Sequence, residues 1–134
     1  MNIRKILLLS FMFIGLSFGL GAKYLIIVPD SNYYYAVRPL AQWKHKKGVP
    51  TRIVTLGEIG VPGTNISGIK TYIVNAYNTW SPRPDYVLIV GSTNLIHSSG
   101  GEAYDDYYSD MDFVGTDTMQ IAVGRFPCEN ISKT

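Results

Sequence analysis

Three aspartates and a glycine crowd one stretch of the chain, in the pattern Asp110-x-Asp112-x-x-Gly115-x-Asp117. Hard carboxylate oxygens around a turn are what calcium requires, since it takes roughly six to eight oxygen ligands in flexible geometry. The stretch is not an EF-hand loop. Positions one, three and six fit, but Val114 stands at position five and Ile121 where a bidentate Glu is needed. The expectation is a calcium site held by Asp110, Asp112 and Asp117, with Tyr104, Tyr107 and Tyr108 packing the loop onto the domain, set against a plain solvated acidic loop.

The other chemistry-bearing side chains are sparse. His45 lies in the basic run Lys44-His45-Lys46-Lys47 and reads as a solvated helix end. His97 stands beside Ser98 and Ser99 without an identified orienting carboxylate or oxyanion donor, so it is a poor nucleophile–base pair. Cys128 is the single cysteine, which excludes an intramolecular disulfide and reads as a small packed side chain. No glycine-rich phosphate cradle and no paired-cysteine or His-x-x-x-His zinc pattern is present. Asn65-Ile66-Ser67 and Asn130-Ile131-Ser132 match the glycosylation triplet, a pattern too common to carry an argument.

The elements that must position these residues begin after an export signal. Arg4 and Lys5 precede an apolar run from Ile6 to Leu20, followed by small Gly21 and Ala22. That order is a secretory signal peptide over residues 1–22, with cleavage expected after Ala22. The run is shorter than the ~20 residues of a spanning helix, so no stable membrane span is expected after cleavage. Removing Arg4 and Lys5 leaves ten basic side chains against 10 acidic ones, so no electrostatic case for nucleic acid survives. The charge is polarised along the chain all the same. No Lys or Arg lies between Arg83 and Arg125, where Glu102, Asp105, Asp106, Asp110, Asp112 and Asp117 cluster.

Tyr24 to Val28 and Tyr86 to Gly91 read as buried strands, and Thr51 to Leu56 and Gln120 to Gly124 as two further strands. A helix is expected from about Tyr35 to Lys47, with Pro39 in its first turn and Gly48 as its cap. A second carries the stripe Ile66, Ile69, Ile73, Ala76, Tyr77 and Trp80, with Thr64 or Asn65 as its N-cap. Ser92 to about Met119 is a long loop, and Glu129 opens a further helix. The alternation predicts an α/β fold, a mainly parallel sheet flanked by helices, over residues 23–134. Functional groups in such sheets gather beyond the carboxyl ends of the strands, where the Val90-Gly91 exit and the acidic loop fall.

Several phrases taken in order resemble the gingipain-type cysteine peptidases. They are Tyr24-Leu-Ile-Ile-Val-Pro29, Arg38-Pro-Leu-Ala-Gln-Trp-Lys44 with Lys46-Lys47-Gly48, Ile69-Lys-Thr-Tyr-Ile73, and Asn75-Ala-Tyr-Asn-Thr-Trp80. Tyr86-Val-Leu-Ile-Val-Gly91, Asp106-Tyr-Tyr-Ser-Asp110 and Ile121-Ala-Val-Gly-Arg-Phe126 complete the set. The resemblance implies an exported endopeptidase acting on proteins, with a caspase-like catalytic domain of two subdomains, of which this chain is the first. It implies a catalytic His, in a His-Gly pair, and a downstream Cys, both in the second subdomain. Neither His45 nor His97 precedes Gly, and Cys128 falls beside the Gly-Arg-Phe strand, so no catalytic residue is expected here. It also implies calcium between the turn after the third strand and the acidic loop. Ser92 and Gln120 replace two acidic ligands usual in that pattern, which leaves Asp110, Asp112 and Asp117 as a weaker site. The leading expectation is thus a peptidase fragment that needs its second subdomain as partner. The rival is a stand-alone exported α/β binding module, calcium-dependent in one form. A generic flavodoxin-like domain lacks the anion-binding loop it would require.

Overall fold

The computed structural model describes residues 21–100, 104–112 and 119–131. The expected signal peptide therefore lies almost wholly outside the described residues, as do Gly115, Asp117 and Glu102 of the acidic stretch.

Four strands form one parallel sheet in the order β2-β1-β3-β4: β1 (Tyr24–Val28), β2 (Thr51–Thr55), β3 (Tyr86–Val90) and β4 (Ala122–Phe126). The predicted α/β class with a parallel sheet is what is found. β1 lies inside the sheet, which is why Leu25, Ile26, Ile27 and Val28 are all fully buried and the run shows no alternation.

One face of the sheet carries α3 (Ile66–Thr79) and the long connection from β3 to β4. Leu25, Ile27, Val54, Val87 and Ile89 meet Ile69, Ile73, Ile96, Tyr108 and Ile121 there. The predicted stripe of α3 is the buried face, with Ile69 and Ile73 at 0% exposure and the Asn65 side chain accepting from the Gly68 N–H as N-cap.

α1 (Ser31–Lys46) lies on the opposite face, over β1 and β2. It begins four residues before the expected start, because the Asp30 carboxylate accepts from the Asn32 and Tyr33 N–H groups and closes the first turn early. Pro39 is therefore mid-helix and not in the first turn. Its missing N–H removes the i+4 donor of the Tyr35 carbonyl, and both residues are exposed to solvent. A short helix α2 (Leu56–Ile59) was not expected. Thr55 and Glu58 form a reciprocal capping box that ends β2 one residue early, and Gly60 at φ +85° closes the turn. Glu129 to Ile131 are not helical, contrary to the expected helix start.

Candidate functional site

The carboxyl ends of β1, β3 and β4 meet in a cluster built around Arg125. This residue lies on β4 opposite Ile89. It is one of two β4 side chains directed at the larger core, with Val123, while Ala122, Gly124 and Phe126 are exposed. Its guanidinium makes a paired contact with Asp105, Nε donating to Oδ2 at 2.8 Å and Nη2 to Oδ1 at 2.7 Å. Nη1 donates to the carbonyls of Gly91, at 2.8 Å, and Ile96, at 2.9 Å. Both side chains are mostly buried, 10% and 16% exposed. One planar cation thus ties the exit of β3, the loop after it and the 3-10 turn Asp105–Tyr108 into a single unit. Gly91 makes the sharp exit at φ +124°, with Pro29 and Leu95 close enough that a Cβ would touch both.

Tyr108 is fully buried beneath this unit and donates its hydroxyl to the His97 carbonyl at 2.6 Å. Burial pushes its phenol up to about 12, against the opposing pull of the Arg125 guanidinium. Lys70, on α3, is 2% exposed and donates to the Tyr107 carbonyl, its ammonium 4.4 Å from the Tyr107 ring centre. Burial pushes the Lys70 ammonium down, and the nearby Asp110 carboxylate opposes that. Tyr107 and Tyr108 pack the described part of the acidic loop onto the domain, whereas Tyr104 is 61% exposed and does not.

The expected site residues are placed as follows. Asp110 accepts from the Asp112 N–H, and the Asp112 carboxylate accepts from the Gln120 amide, whose own oxygen accepts from the Met111 N–H. Gln120 thus supplies a neutral donor inside the acidic loop. Among the described residues no group of three His, Cys, Asp or Glu side chains is close enough to hold a metal. Asp117 lies outside those residues. His45 is exposed in the last turn of α1, and His97 is exposed and held through its main chain by Gly63 and Tyr108. Cys128 packs against the smaller core of Ile26, Val28, Tyr33 and Val90. Its carbonyl accepts from the Ser92 N–H at 2.9 Å.

Sequence reasoning missed Arg125 and Asp105. The signal was available: Arg125 is the first cation after a tract holding six clustered acids, on a strand, and such a residue asks for a partner.

The model of Peptidase family C25 matches residues 19–134. The chain belongs to that family. No curated protein matches it. Among solved structures, the complex of Porphyromonas gingivalis RgpB pro- and mature domains superposes with a TM-score of 0.70 at 22% identity. That match covers 81% of this chain and 25% of the other. The crystal structure of the Arg specific cysteine proteinase gingipain R gives 0.70 at 21% identity, over 82% and 25%. A third structure, described as a protease, gives 0.65 at 26% identity, over 78% and 24%. The resemblance to gingipain-type peptidases is therefore correct for the family, and the superpositions bear out the fold. The C25 chain spans about a quarter of the length of the solved chains it matches.

Proposed function

We propose that this chain is the first part of the catalytic domain of an exported gingipain-like cysteine endopeptidase, the catalytic His and Cys being supplied outside it. The observation that carries the reading is the C25 match over residues 19–134 combined with coverage of a quarter of the solved relatives. The site supports it by what it builds. Arg125, Asp105 and Tyr108 form a rigid carboxyl-edge scaffold, while Cys128 packs among Ile26, Val28, Tyr33 and Val90, and both His45 and His97 are exposed. Nucleophilic catalysis by a thiol needs an adjacent base.

A bare apolar face supports the need for a second subdomain. α1 covers β1 and β2, but over β3 and β4 a groove of about 370 Å³ remains open, lined by Leu40, Leu88, Val90, Phe126 and Ile131. Phe126 is 63% exposed there. Reading the coding sequence downstream of Thr134 tests the proposal. An in-frame His-Gly and a later Cys are expected; a closed frame with neither would contradict it and favour the stand-alone module.

Export is part of the same reading, supported by the basic-then-apolar opening. No helix among the described residues is long and apolar enough to cross a membrane. Ala22 is 1% exposed, so cleavage after it removes a buried side chain, whereas a cut one residue earlier keeps it. N-terminal sequencing of the secreted product reads which bond is cut. Calcium, in this reading, is held weakly by Asp110, Asp112 and Asp117, since affinity tracks ligand charge and Gln120 contributes none. A rise in melting temperature with millimolar calcium, lost in Asp110→Asn, is the expected result; an unchanged melt removes calcium from the account.

A further inference from the structure

From Ser31 to Gly57 the chain holds no Asp or Glu, yet it holds Arg38, Lys44, His45, Lys46, Lys47 and Arg52. The fold gathers part of this tract into a cavity of about 630 Å³ between α1 and β2. Tyr34, Arg38, Gln42, His45 and Lys46 form its helical wall, at the three- and four-residue spacing that puts them on one side of α1.

A helix end collects cations for its own dipole, and that explains part of the cluster. Lys44 lies over the Tyr24 ring at 4.8 Å and Lys47 near the Trp43 ring at 6.0 Å, so both have aromatic neighbours. Arg38 stands two turns before the helix end, beyond the reach of that effect. The described ion pairs are Lys23–Asp85 and Arg125–Asp105, and neither draws on Arg38, His45 or Lys46. The flanking acids are committed elsewhere, Asp30 to the start of α1 and Glu58 to the Thr55 capping box.

The strand wall of the cavity decides between kinds of anion. Thr51, Arg52 and Ile53 all line it, although consecutive side chains on a strand point to opposite faces. The Arg52 guanidinium lies 4.8 Å from the Trp80 ring, on the face of the larger core, while Ile53 packs with the smaller core. Arg52 therefore borders the cavity with its main chain. β2 is a terminal strand of the sheet, so its outer edge offers N–H and C=O groups as a template for pairing. A small anion would use the cations alone. An extended acidic peptide uses both walls at once.

We propose that the groove between α1 and the open edge of β2 binds an extended acidic polypeptide segment, which adds to the sheet beside β2 and sets its carboxylates against Arg38, His45 and Lys46. This inference does not rest on the peptidase reading. The probe is a short fluorescent peptide alternating Glu and Val, followed by anisotropy with the purified chain. Binding is expected, weakening with added salt. It should fall by about tenfold in an Arg38→Gln/Lys46→Gln double variant whose circular dichroism is unchanged. The same peptide methylated on alternate backbone nitrogens should lose binding, because strand addition needs its N–H groups. A Lys-Val peptide and a short oligodeoxythymidylate should bind more weakly than the acidic peptide. Absence of binding overturns the proposal, as does equal binding of the methylated peptide. Tighter binding of the oligonucleotide would assign the groove to nucleic acid instead.

Discussion

At the scale of single residues, Arg125 is the side chain on which the carboxyl edge depends. Removing one partner of a buried, paired charge leaves the other uncompensated, at a cost of about 3–5 kcal/mol. Arg125→Ala should lower stability by that order in urea unfolding, and Arg125→Lys should restore only part, because an ammonium cannot reach Asp105, Gly91 and Ile96 together. Tyr108 supplies a pH signature. An unfolded tyrosine titrates near about 10, and the folded value is about 12. The folded chain therefore holds this proton more tightly, so the associated stability is full below about pH 10 and disappears as pH rises through about 12. Thermal melts should show the chain more stable than Tyr108→Phe near pH 8, with the gap closing as pH rises above about 10; a gap that stays constant would contradict the assignment. The role of Tyr108 was not legible in the sequence, and that of Arg125 was legible only as a cation in want of a partner. The acids stood out as a charge tract, but which of them meets a cation depends on β4 lying beside β3, a contact between residues far apart in the chain.

At the scale of elements, the strands and α3 were readable because each is decided locally. An unbroken five-residue run such as Tyr24–Val28, ended by Pro29, suits a strand buried on both faces, and the α3 stripe has one helical period. Boundaries were read less well where a side chain caps a backbone. Asp30 moved the start of α1, and the Thr55–Glu58 box made α2 from what looked like a strand end, although the Thr-x-x-Glu spacing was there to be read. Asn65→Ala should cost about 1 kcal/mol of stability through loss of the α3 cap, measurable by chemical denaturation, whereas Asn65→Asp should cost little. Ile73→Ala, at 0% exposure in the larger core, should cost about 2–5 kcal/mol in the same measurement.

At the scale of the molecule, membership of Peptidase family C25 and the chemistry of this chain are separate matters. The ordered phrases marked the family because they are the strands, the α3 stripe and the Gly-Arg-Phe segment that together make the scaffold. The same scaffold carries Cys128 as packing and the two histidines at its surface, and it leaves the β3–β4 face open above Phe126. In the proposed reading, this stretch positions a peptidase site without furnishing its nucleophile. The most direct test is hydrolysis of a fluorescently quenched casein substrate by the purified chain, run beside Cys128→Ser under reducing conditions. The expected result is no turnover above background for either protein. Turnover that disappears in Cys128→Ser would make Cys128 a nucleophile and contradict the account.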